Sequence, residues 1–276
     1  EENKTCLGAK TAAGDCTYSG TSYAPQPEAV LESRSRTCWG LHDHEDANCV
    51  LIKEKPGTIA KAAMIGDSHM SMLRPMVQAA AKELGWSLDD HTVDTCELVF
   101  DGSEDTSSVF VQGCIDETPN IMAALAQEHY DYVFLASFSH HFGPKPDAEY
   151  QHALQLKRGL LEQIAATGAQ PIIIRDTPSI NDGQYENPND CLSAKTPPEC
   201  AFARDTAFMR DANADAAAEL GMPVLDMNDL ICPDDGSGRC PVVIGGVNIY
   251  VDLSHLTIAY VETMTPYLIQ RLEPYL

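Results

Sequence analysis

The sequence predicts an α/β fold, a three-layer sandwich with about five parallel strands and helices on both faces. Three observations carry this. Short apolar runs recur along the chain, around 62–65, 132–136, 171–174 and 223–225. Each run is followed, after a linker of varying length, by a stretch with helical periodicity. Strands alternating with helices of this kind build parallel sheets covered on both sides. The chain has 276 residues and is 44% hydrophobic, which suits one sizeable α/β domain. No internal repeat, low-complexity segment or apolar run of about 18 residues interrupts the pattern.

Residues 1–60 are expected to be a disulfide-stapled extension packed on a main domain of residues 61–276. Turn residues crowd this segment (Gly8, Gly14, Gly20, Pro25, Pro27, Pro56-Gly57), so regular structure should be sparse. The chain opens Glu1-Glu2-Asn3 without Met, as expected of a mature form or an excised fragment.

The main domain begins with a strand at 62–65, the turn Gly66-Asp67-Ser68-His69 and a helix over 70–84. In parallel α/β sheets ligands bind beyond the carboxyl ends of strands, where this turn places Ser68. Asp67 is expected to pin the turn. Asp and Ser are also favoured helix caps, so capping alone is the plainer reading of the pair. A second strand at 87–95 leads to Thr95-Cys96. A helix over 118–129 and a third strand at 132–137 follow, ending in Ser137-Phe138-Ser139-His140-His141. A helix over 147–167 and a fourth strand at 171–176 lead into a Pro- and Asn-rich loop, 177–200. Loops of that length are usually functional or mobile, and this one is expected to wall an acceptor groove. An alanine-rich helix over 201–220, a fifth strand at 223–226 and a final helix over 256–272 complete the order.

The net charge is −23, from 41 acidic and 18 basic side chains. Such a surface repels nucleic acid and anionic membranes, so neither is an expected partner. Ten cysteines point to an oxidising compartment. They fall in neighbouring pairs, and five local disulfides are expected: Cys6–Cys16, Cys38–Cys49, Cys96–Cys114, Cys191–Cys200 and Cys232–Cys240. No Cys-x-x-Cys occurs, which argues against zinc. His42-Asp43-His44-Glu45 reads as a solvated loop. The Asp234-Asp235-Gly236-Ser237-Gly238 stretch lacks EF-hand spacing and reads as a closed turn. No metal and no cofactor is expected.

Near the other end stands Asp252-Leu253-Ser254-His255. Asp and His three apart in a turn can face the same way. A carboxylate that orients an imidazole, and a distant serine, are what hydroxyl activation needs. Ser68, Asp252 and His255 are therefore the candidate catalytic residues, in an acyl-transfer role.

These two tetrapeptides, in this order, resemble blocks I and V of the SGNH (GDSL-like) hydrolase superfamily. The likeness is closer to the SGNH domain fused to acyltransferase-3 membrane proteins. It extends to Cys38 and Cys49 before the serine block, to Thr95-Cys96, to the Cys191…Cys200 loop, and to Leu225-Asp226…Cys232…Cys240…Tyr250-Val251-Asp252…His255-Leu256. It covers roughly residues 35–275.

The resemblance implies a flavodoxin-like sandwich at the extracytoplasmic (periplasmic) face of a membrane protein. A membrane acyltransferase-3 partner, expected upstream in the same polypeptide, would deliver an acetyl group. Ser68 would pass it to a sugar hydroxyl of a surface glycan such as lipopolysaccharide O-antigen or exopolysaccharide. The domain alone would be a monomer with weak acetylesterase activity. The family's Gly-x-Asn block is missing, and no glycine directly follows the second strand. The oxyanion or substrate candidates are then the Ser68 backbone, Cys96 or its neighbour Thr95, Ser137, Phe138, Ser139 and His140. Two other functions fit the same fold: a free-standing secreted carbohydrate acetylesterase and a non-catalytic glycan-binding module. The complete Ser-Asp-His set speaks against the second.

Overall fold

The computed structural model describes residues 6–33, 49–102, 104, 106–139 and 147–276. Cys38, the 42–45 stretch and His140 lie outside the described residues. In chain order the elements are α1 (Ala9–Ala12), β1 (Cys49–Ile52), β2 (Lys61–Gly66), α2 (Ser68–Leu84), β3 (Ser87–Thr92), α3 (Val109–Glu128), β4 (Tyr132–Ala136), α4 (Asp147–Ala166) and β5 (Gln170–Ile174). Then follow α5 (Pro188–Ala194), β6 (Phe202–Ala203), α6 (Ala212–Glu219), β7 (Val224–Leu225), α7 (Asn228–Ile231), β8 (Arg239–Cys240), β9 (Val243–Ile244), β10 (Val247–Asn248), α8 (Ile258–Thr263) and α9 (Thr265–Leu272).

The central sheet runs β1-β3-β2-β4-β5-β7. The last five strands are parallel, as expected, and β1 adds an antiparallel sixth at the edge. Strand β2 pairs with β3 on one side and β4 on the other, so the order in which strands are added reverses across it. That reversal opens a crevice at the carboxyl end of β2, where doubly wound folds place their ligands.

Side chains alternate across the sheet. Ala62 and Met64 of β2 join Phe134 and Ile172 in a core under α2, α8 and α9. Ala63 and Ile65 join Val133, Leu135 and Ile173 in a second core under α3, α4 and α6. Strand β3 looks too polar for an interior, but its buried Asp90 and His91 are matched. Asp90 pairs with the buried Arg74, and His91 Nε2 lies 3.0 Å from the Tyr130 hydroxyl, which donates to Asp89 at 2.7 Å. Buried polar groups are tolerated when so paired.

Several elements depart from the sequence reading. The helix expected over 118–129 starts at Val109. The helix expected over 201–220 forms only at Ala212–Glu219, capped by Asp211 accepting from the Asn213 and Ala214 N–H groups. Residues before it are held otherwise: Phe202–Ala203 pairs with Arg239–Cys240, and the Arg204 N–H donates to Gly238. The last helix breaks at Met264 into α8 and α9. Pro266 explains the break, since it cannot donate an N–H and its ring crowds the preceding turn.

The loop over 177–200 carries α5 and a 3-10 turn at Pro197–Cys200. The first part of the chain lies against the C-terminal elements, with the Ala9 N–H donating to Thr263 Oγ1 and the Ala24 N–H to Gly246 O. Disulfides join Cys6–Cys16, Cys96–Cys114, Cys191–Cys200 and Cys232–Cys240.

Candidate active site

The turn between β2 and α2 is built by Gly66 and Asp67. Gly66 has φ +132°, and a Cβ there would lie 2.0 Å from the Ala136 carbonyl oxygen of β4. Only glycine allows the two strand ends to approach so closely. Asp67 caps α2: one carboxylate oxygen accepts the His69 N–H at 2.8 Å, the other the Phe138 N–H at 2.9 Å. It thereby ties the turn to the end of β4. Burial drives the Asp67 carboxyl upward, opposed by His69 and those N–H groups.

Ser68 is the first residue of α2. Its Oγ lies 2.9 Å from His255 Nε2, across a sequence separation of 187 residues. His255 Nδ1 faces both oxygens of Asp252 at 3.0 Å. The Asp252 carboxylate also accepts the N–H groups of Ser254 and His255, at 3.0 and 2.9 Å. Burial disfavours the Asp252 charge, but the His255 imidazole and these two N–H groups outweigh it and hold the carboxyl well below its usual range. An ionised Asp252 fixes the proton on Nδ1 and leaves Nε2 to accept from the Ser68 hydroxyl. That arrangement can raise the nucleophilicity of Ser68.

The turn that carries Asp252 and His255 is braced from behind. The Val251 N–H donates to the His255 carbonyl and closes it. Asn189, on α5, donates to the Tyr250 and Val251 carbonyls at 3.1 and 2.9 Å. The Ile180 N–H donates to Leu253, and the Tyr250 hydroxyl to Pro178. The 177–200 loop therefore supports this turn, a contribution its composition does not reveal.

A second imidazole–carboxylate pair lies beneath. His69 Nδ1 and Asp176 Oδ1 are 2.5 Å apart, and each side chain is 2% exposed. Asp176 also accepts from Thr177 N, Ser139 N and Ser139 Oγ, at 2.8, 2.7 and 2.7 Å. Burial opposes both charges. The attraction and hydrogen bond between the partners prevail, raising the His69 pKa and lowering that of Asp176. The His69 ring lies 4.5 Å from the Phe138 ring and 5.0 Å from that of His255, centre to centre. Its Nε2 is buried without a partner among the described residues.

The expected oxyanion candidates fare unevenly. The Cys96 N–H donates to Val93 O, and those of Phe138 and Ser139 go to Asp67 and Asp176. Turn closure and carboxylate bonding thus commit these three donors. Ser137 Oγ accepts from Asn213 Nδ2 at 2.5 Å. The N–H groups of Ser68 and Thr95 have no protein acceptor among the described residues. Thr95 adopts φ 61°, a left-handed backbone conformation that favours glycine.

No group of His, Cys, Asp and Glu side chains able to hold a metal occurs among the described residues. Nor does any described helix have the length and apolarity to cross a membrane.

The sequence profile of the SGNH domain (fused to AT3 domains) matches residues 36–270. Among solved structures, the chain is similar to the periplasmic domain of a lipopolysaccharide acetyltransferase from Salmonella ser. Paratyphi A. Identity is 16%, coverage 78% of this chain and 83% of that one, and the TM-score 0.55. A putative SGNH hydrolase from Slackia heliotrinireducens aligns at 18% identity over 77% of this chain and 98% of its own, with a TM-score of 0.49. No curated protein matches the sequence.

Proposed function

Since the chain belongs to the family of SGNH domains fused to AT3 domains, whose members support acyl transfer or ester hydrolysis, we propose that it is the serine-dependent transfer domain of a glycan O-acetyltransferase. The observation that carries this reading is the 2.9 Å approach of His255 Nε2 to Ser68 Oγ, with Asp252 behind the imidazole.

In the proposed reaction His255 takes the Ser68 proton as Oγ attacks an acetyl carbonyl. Asp252 steadies the imidazolium that forms. The Ser68 and Thr95 N–H groups hold the oxyanion. His255 returns the proton to the leaving group, and acetyl-serine remains. A sugar hydroxyl then gives its proton to His255, bonds to the acetyl carbon and displaces Ser68, whose oxygen takes that proton back from His255. The family's AT3 association supports a membrane partner as acetyl donor, and the disulfides fit an extracytoplasmic, periplasm-facing setting. The missing side-chain amide after β4 supports slow hydrolysis, since one oxyanion donor is worth roughly 100- to 1,000-fold in rate.

Acetate release from p-nitrophenyl acetate tests the reading. Turnover should be slow in the intact chain and fall to background in Ser68→Ala. Equal rates in the two proteins would refute it.

A further inference from the structure

Beyond the carboxyl ends of β5 and β7 lies an open pocket of about 510 Å³. We propose that it is the subsite for a neutral sugar residue of the acceptor; the proposal rests on the transfer reading above.

Position is the first argument. Ser139 and Asp176 form part of its wall. Both belong to the network that reaches His69, whose ring lies 5.0 Å from that of His255. The pocket thus opens on the ligand-binding edge of the sheet, and its wall is joined to the active-site imidazoles through Asp176.

Charge is the second. Three arginines line it, and two of them face carboxylates. Arg175 Nε lies 3.1 Å from Asp226, Arg271 Nη2 lies 2.7 Å from Asp229, and Arg204 donates to the Cys232 carbonyl. With Asp176, Asp226, Asp229 and Asp234 also in the wall, carboxylates outnumber the guanidinium groups, which disfavours an anion. The −23 net charge opposes a polyanionic glycan further.

The third argument is the wall chemistry. Phe208 is 37% exposed, with the Arg204 guanidinium 4.8 Å from its ring centre. A rigid, partly open aromatic surface suits the apolar face of a pyranose ring. Thr177 and Asn228 also line the pocket, at 5% and 6% exposure. Arg204 and Phe208 belong to the stretch before α6 that abandons its helical propensity. Such local departures gather at functional sites.

The test is partitioning of the acetyl group. The 276-residue chain is given p-nitrophenyl acetate with methyl glucopyranoside, methyl galactopyranoside, methyl glucuronide or methanol as acceptor. The ratio of acetyl transferred to acetyl hydrolysed is read, with folding checked by thermal melting. Transfer to at least one neutral glycoside should saturate and exceed transfer to glucuronide. Phe208→Ala should lower that ratio about fivefold, and Phe208→Tyr should restore it, since the ring face is the contact. The ratio with methanol should be the same in all three proteins.

A sugar ratio unmoved by Phe208→Ala, a parallel loss with methanol, a preference for glucuronide, or no saturable transfer to either neutral glycoside overturns the subsite. Hydrolysis that does not depend on Ser68 overturns the transfer reading instead.

Discussion

His69 Nδ1 and Asp176 Oδ1 meet at 2.5 Å in the interior, one residue beyond the serine and at the end of β5. Through Ser139 the same carboxylate fixes the loop after β4. This pair therefore joins the start of α2 to two strand ends below the Ser68–His255 contact. Removing one partner of a buried pair costs about 3–5 kcal/mol. Asp176→Asn should lower the melting temperature by several degrees and reduce kcat for p-nitrophenyl acetate more than it changes KM. His69→Asn, which keeps a donor near the Nδ1 position, should retain more activity than His69→Ala. Equal melting and kcat in wild type and Asp176→Asn would remove the pair from the account.

Asp252 should act through the His255 tautomer. In Asp252→Asn the amide can donate to Nδ1, which leaves the proton on Nε2 and removes the acceptor for Ser68. A comparable change in another serine triad costs about 10⁴-fold in kcat. Steady-state turnover should fall by orders of magnitude while the fold persists by circular dichroism. A loss of less than about tenfold contradicts the assignment.

Stability should fall as pH rises from 5.5 to 7.5. Burial pushes Asp211 up to about 6, above the ~3.9 of an unfolded aspartate. Folding therefore takes up a proton at Asp211, and its contribution declines as pH climbs from about 4 through 6. His69, raised above its ordinary value, stabilises fully below about 6.5 and loses that contribution as pH passes its folded value. Asp176 and Asp252 are lowered, so their contributions are already complete above about pH 4 and vanish only below it. Thermal melts at fixed ionic strength should give the higher midpoint at pH 5.5; a higher one at pH 7.5 contradicts the signs.

Gly66→Ala should be among the most damaging single changes. Its Cβ would fall 2.0 Å from the Ala136 carbonyl oxygen, at positive φ, so β2 and β4 must separate. A loss on the order of 4 kcal/mol should appear in urea unfolding. A wild-type midpoint and slope would show that the strands can part without cost.

Much of the site was legible in the sequence because it is written in side chains at turn positions. Ser68 follows a strand, and Asp252 and His255 sit three apart. Parallel order came from the same apolar spacing that builds the two cores. The His69–Asp176 pair was not legible: its partners lie 107 residues apart, and no local pattern marks a contact of that kind. Asp176 closing an apolar strand at the ligand edge was the one available signal. Residues 201–211 carry helical composition, but the ladder to Arg239–Cys240 and the Asp211 cap override it. Oxyanion donors escape for another reason. Every residue but proline has an N–H, so only the backbone path shows which are already taken.

The central claim is that His255 activates Ser68, and a fluorophosphonate serine probe tests it most directly. Incubation with the intact chain, followed by peptide mass spectrometry, should place the label on Ser68 in wild type and leave Ser68→Ala unmodified. His255→Ala should label far more slowly. Labelling of another residue, or equal labelling of wild type and His255→Ala, would contradict the account.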